Sequence, residues 1–140
     1  MRRPSGFVKK GFTLSEALLA ICLLAIVFAA SVASFMNCFI LNEANRSLAI
    51  ATTHANYAME EIKDKAATPG GFSGLVSLIN SGNWNWNSAT INNKGLLALN
   101  QETINTSVSG TDLLDITVSV AWIVHGRNRT ISLESLVAEP

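Results

Sequence analysis

Hydrophobic and polar positions divide the chain into three regimes. From Ala17 to Asn42 there is no charged residue, and Ala17 to Met36 is apolar except for Ser31 and Ser34. A stretch of that length crosses the hydrocarbon core of a bilayer as a helix. Beyond Leu41 the sequence turns polar but keeps a period. Leu41, Ala44, Leu48, Ala51, Ala55, Ala58 and Ile62 recur at alternating steps of three and four, an apolar stripe on one helical face that Met59 widens. Glu43, Arg46, His54, Glu60, Glu61 and Lys63 fall mostly off this stripe, and Thr68-Pro69-Gly70-Gly71 ends it. Together the two segments predict a nearly continuous helix from Phe12 to Ala66, about 80 Å long at 1.5 Å per residue.

The third regime has a period of two. Ile116, Val118, Val120, Trp122 and Val124 alternate with Thr117, Ser119, Ala121, Ile123 and His125, the pattern of a half-buried strand. Gly126-Arg127-Asn128-Arg129 reads as a turn, and Ile131, Leu133, Ser135 and Val137 as the inward positions of a return strand. Gln101 to Val108 predicts a neighbouring strand. Between helix and strands, residues 70–95 are rich in Gly, Asn and Ser: Phe72 to Ile79 reads as a short helix or turn, and Asn80 to Asn93 as loop. The predicted class is α+β: a long N-terminal helix, half transmembrane and half amphipathic, packed on a small C-terminal antiparallel sheet of three or four strands. A free two-stranded coiled coil is the alternative partner for the amphipathic half.

Length and charge narrow the picture. The chain has 140 residues and suits one modest domain. Its zero net charge hides an asymmetry, because Arg2, Arg3, Lys9 and Lys10 crowd the start and no acid precedes Glu16. A cut after Gly11 would leave six basic and ten acidic side chains, a balance of −4. Such a domain does not hold nucleic acid by neutralising phosphates. The basic start also predicts a cytoplasmic N-terminus, with everything after Leu41 on the far side of the membrane. Cys22 and Cys38 lie about 24 Å apart on one helix, too far to bridge.

Three fates are open to the apolar segment: retention as a signal anchor, removal as a signal peptide at Ser31-Val32-Ala33, or cleavage on the cytoplasmic side before it. Glu16 bears on the choice. A carboxylate about one turn inside a membrane helix is costly, and neither an ordinary anchor nor a signal peptide gains from it. A snorkelling interfacial acid is the plain alternative.

The string Lys9-Lys10-Gly11-Phe12-Thr13-Leu14-Ser15-Glu16 resembles the leader and cleavage motif of type IV prepilins and pseudopilins. In that family a basic leader ends in Gly, Phe usually follows, and Glu stands fifth in the mature chain. The resemblance implies a leader over residues 1–11, an assembly helix over 12–41, an amphipathic half over 42–66 and a globular pilin-like region over 67–140. It implies that a prepilin peptidase cuts between Gly11 and Phe12 and methylates the new amine of Phe12. Glu16 would then pair with the ammonium of Phe12 on a neighbouring subunit, so that two charges expensive alone in lipid become complementary. Its partners would be other pilins or pseudopilins, the peptidase and the inner-membrane platform of the assembly machine. Its location would be the bacterial inner membrane, single-pass, with the C-terminal domain periplasmic.

Two further strings are similar to the pilin V and pseudopilin I group: Tyr57-Ala58-Met59-Glu60-Glu61-Ile62, and the hairpin running from Ile116 to Ala138. The helix-kinking proline of many major pilins is missing from Ala30 to Asn37, which implies a helix that is straighter or unwinds less on assembly. The C-terminal disulfide loop of many major pilins is missing too, which together with small size points to a minor subunit at a tip or initiation complex.

The remaining candidates are sparse. Trp84 and Trp86 alternate with asparagines, the pattern of a stacking platform for sugar or nucleobase. Equally, one ring would plug a small core while the other is partly exposed. The platform would make the chain a signal-anchored binding module. Glu60 and Glu61 read as solvent-facing acids. His54 and His125 read as surface or packing residues, and Asp112, Asp115 and Glu134 as solvated acids whose spacing fits no calcium loop. Arg127 and Arg129 flank an exposed turn suited to an acidic partner. No glycine-rich phosphate loop with Lys and Ser or Thr is present. The expectation is a structural subunit, without catalytic residues, metal or cofactor.

Overall fold

The structure is a computed structural model that describes residues 13–139. Its first helix, α1, covers Leu14–Ala67 and runs unbroken through residues 30–37. The chain divides into two units, one ending at Asn42 and the other starting at Glu43.

From Leu14 to Asn42 the first unit is helix. Its large apolar side chains are exposed along the whole length, Leu14, Leu24, Phe28 and Phe39 each by more than two-thirds. Ser31 and Ser34 donate their hydroxyls to the carbonyls of Val27 and Ala30 at 2.8 and 2.9 Å. Both serine hydroxyls are thereby satisfied within the helix, which is what a lipid environment demands. The helix is long and apolar enough to cross a membrane.

In the second unit, α1 is followed by α2 (Gly71–Asn80), β1 (Trp86–Asn87), α3 (Ser88–Asn93), β2 (Thr103–Ser109), β3 (Leu113–Val124) and β4 (Arg127–Ala138). The strands form one antiparallel sheet in the order β1-β2-β3-β4. Thr103 lies opposite Ala121 in β3, and the β3–β4 ladder runs from Leu113↔Ala138 to Val124↔Arg127. Leu114, Ile116, Val118, Val120, Trp122 and Val124 turn one face of β3 to the core, where Ala51, Ala55, Ala58, Met59 and Ile62 of α1 meet them. Leu75, Ile79, Ile91 and Ile104 belong to the same core. The α1–α2 corner needs a glycine, since a Cβ at Gly71 would collide with the Lys65 carbonyl. The α+β class follows.

Several expectations are corrected. The buried face of α1 is Ser47, Ala51, His54, Ala55, Ala58, Met59, Ile62 and Ala66. Leu41 and Leu48 are exposed, and His54, placed off the stripe by sequence, is 3% exposed. His54 is accommodated on this face by the carboxylate of Glu102, 2.7 Å from its ring. Residues 80–93 are not all loop, since β1 pairs with β2 and Asn87 caps α3 by accepting from the Thr90 N–H at 2.9 Å. The hairpin turn lies one residue earlier than predicted, at His125-Gly126, and Arg127 to Arg129 already belong to β4. Both turn residues have positive φ, 50° and 72°, as a two-residue hairpin that follows the strand twist requires.

Candidate functional site

Glu16 sits in the first turn of α1, where the helix leaves its leading N–H groups without intrahelical partners. Thr13 and Glu16 meet that need reciprocally. The Thr13 N–H and hydroxyl both donate to Glu16 Oε2 at 2.9 Å, while the Glu16 N–H points back to Thr13 Oγ1 at 3.4 Å. This is a capping box, and Thr-x-x-Glu is its sequence signature. The signal was present in Thr13-Leu14-Ser15-Glu16 but is absent from a reading that treats the acid only as an assembly charge. The carboxylate stays exposed. Among the described residues nothing bonds to its Oε1, so one oxygen is left for a cation to meet. Lys9, Lys10, Gly11 and Phe12, on which the expected cleavage and methylation rest, lie outside the described residues.

His54 and Glu102 form a buried pair. Nδ1 of His54 lies 2.7 Å from Glu102 Oε1, with the two side chains 4% and 0% exposed. Glu102 Oε2 accepts from the Leu99 N–H at 2.7 Å, and its carbonyl accepts from the Ser88 hydroxyl at 3.0 Å. The carboxylate therefore joins the middle of α1 to the segment before β2, and the backbone carbonyl of the same residue ties in the start of α3. Sealed from solvent, the dyad offers no group to a ligand; its work is to order the fold. Glu102 was missed in sequence because a single acid in a polar segment carries no periodic signal.

The tryptophans are not a platform. Trp84 and Trp86 are 8% and 4% exposed. Both rings are buried, where sequence gave one of them a partly exposed place. Trp86 donates its indole N–H to the Asn83 carbonyl at 3.2 Å. Lys94 Nζ lies 4.3 Å from the Trp86 ring centroid and 5.7 Å from that of Tyr57, and it meets Glu61 at 2.7 and 3.1 Å. Glu61 is therefore not simply solvent-facing: it anchors a cation that clamps β1 onto α1.

The other candidates stay apart. His125 is exposed and places Nε2 3.0 Å from Glu43 Oε2. Asp115 and Glu134 lie on β3 and β4 opposite Leu136 and Thr117, and Asp112 precedes β3. Among the described residues no three His, Cys, Asp or Glu side chains converge. Cys22 and Cys38 are free and exposed on the apolar helix. Comparison with protein-family models, curated proteins and solved structures gave no match.

Proposed function

We propose that this chain is a minor pilin or pseudopilin, a structural subunit cut by a prepilin peptidase and assembled through its N-terminal helix. The fibre would be a type II secretion pseudopilus or a type IV pilus, with this subunit at its tip or initiation complex in the bacterial inner membrane. The observation that carries the reading is Glu16. A carboxylate opens a helix of membrane-spanning length, five residues after Gly11 in a basic, Gly-Phe-bearing string. Its cap uses Oε2 and leaves Oε1 for the methylated ammonium of a neighbouring Phe12. The α+β architecture, a helix half exposed and apolar and half packed on a four-stranded sheet, supports the same reading. Burial of Trp84 and Trp86 removes the surface on which the anchored binding module depended.

The test is intact-mass and N-terminal analysis of protein recovered from its native membrane. A start at N-methylated Phe12 is expected. A start at Met1 or Ser34 would overturn the assembly reading in favour of an anchored or secreted domain.

A further inference from the structure

Charge in the second unit is sorted by position. Its arginines, Arg46, Arg127 and Arg129, all lie at the end where β3 turns into β4, while Lys63, Lys65 and Lys94 lie elsewhere. That turn is tied to α1 by His125 Nε2, 3.0 Å from Glu43 Oε2. Glu43 is covalently next to Asn42, the last residue of the uncharged run. Where that run crosses a bilayer, the turn lies beside the point at which the chain emerges.

All three arginines are exposed, and among the described residues none has a carboxylate within salt-bridge distance. Arg127 and Arg129 share the face of β4 that Ile131 and Leu133 turn inward, yet remain open to solvent. Apart from Glu43 and the buried Glu102, the acids are at the other end. Glu61 is about 27 Å further along α1 at 1.5 Å per residue. Glu134 is about 23 Å along β4 from Arg127, and Asp112 and Glu139 flank the last rungs of the ladder. Both separations exceed two screening lengths, each about 8–10 Å in physiological salt. An anionic surface at the arginine end would feel the arginines and Glu43 and little else. Guanidinium is also the cation that grips a phosphate with two parallel N–H bonds.

We propose that the His125–Gly126 turn with Arg127, Arg129 and Arg46 is a collar that docks on the anionic phospholipid headgroups of the bilayer in which the helix is anchored. The occupant is lipid because the covalent link at Asn42–Glu43 keeps that surface within reach in every copy. The inference rests on the membrane-anchored reading, and its test separates the two.

The full chain is reconstituted into vesicles of phosphatidylcholine alone, or with about one-third phosphatidylglycerol, whose negative surface attracts juxtamembrane basic residues. Flotation reports anchoring, and amide hydrogen exchange over residues 123–130 reports docking. The expected result is flotation with both vesicles and exchange slowed about tenfold on the anionic ones, given roughly fivefold per basic residue near such a surface. The slowing disappears in about 1 M salt, where screening shortens to about 3 Å. It also disappears in the R46Q/R127Q/R129Q variant, while β2 amides exchange as before. Equal exchange on the two floating samples overturns the collar and leaves the anchor standing. Equivalent slowing on neutral vesicles by free inorganic phosphate assigns the surface to a soluble anion, and slowing only on addition of a second, acidic protein assigns it to a partner; either overturns lipid docking. Failure to float with either vesicle overturns the anchored reading and the collar with it.

Discussion

The imidazole of His54 and the carboxylate of Glu102, 48 positions apart in the chain, meet at 2.7 Å in a place closed to water. Nδ1 donates and Oε1 accepts, and the other carboxylate oxygen is occupied by the Leu99 N–H. The pair specifies how the segment before β2 sits on α1. A buried polar pair of this kind adds little net stability over a hydrophobic pair, but either group left buried without the other is strongly destabilising.

Replacing His54 with Leu should therefore cost about 3–5 kcal/mol, because Glu102 stays buried without its main partner. The double change His54→Leu with Glu102→Leu should recover a large part of that loss. Denaturant melts of the full chain in detergent measure both, together with Glu102→Leu alone, and a loss in the double variant equal to the sum of the two single losses would show that the pair is not coupled.

The capping role of Glu16 and the assembly role proposed for it can be separated by substitution. Glu16→Gln retains the side-chain acceptor that the capping box needs but removes the charge. It should enter the membrane normally and fail to join fibres. Thr13→Ala removes the cap and keeps the charge, so it should fray the first turn and still assemble. Fibre incorporation, measured beside membrane fractionation, checks the pair. Normal assembly of the Gln variant would count against the charge-pair mechanism.

Lys94 acts through both its charge and its stem. Lys94→Met keeps most of the aliphatic contact on Trp86 and Tyr57 but loses the ion pair with Glu61 and the cation over the ring. A loss of about 1 kcal/mol is expected for these partly exposed interactions. Thermal melts give the stability change, and tryptophan emission should shift with it as the clamp on β1 loosens.

Among the described residues, Trp122 carries a buried indole N–H with no partner, whereas that of Trp86 reaches the Asn83 carbonyl. An unmade bond in the interior carries a penalty of about 1–3 kcal/mol. Trp122→Phe removes that penalty and offsets part of the volume it loses. Trp86→Phe forfeits a bond and the cation contact. The Trp86 variant should melt at the lower temperature, and the reverse order would mean that cavity size alone controls the two sites.

The sequence by itself determined what depends on neighbours a few residues away. The apolar run, the amphipathic continuation, the breaker at Thr68–Gly71 and the alternation of β3 are local periodicities, because helices repeat at 3.6 residues and strands at two. They sufficed for an α+β class and a membrane-length helix. The Thr13–Glu16 cap was equally local and legible as Thr-x-x-Glu.

Only the tertiary structure decided which face of α1 is covered. Leu48 fits the apolar stripe better than His54 does, yet His54 is buried, since Glu102 supplies from another segment the partner that makes an imidazole tolerable inside. The burial of both Trp84 and Trp86, the clamp of Lys94 on Glu61 and the approach of His125 to Glu43 have the same origin. Each joins residues more than thirty positions apart or a ring to a core assembled from six elements. A polar residue's place depends on whether a distant partner satisfies it, and no periodicity along the chain records that.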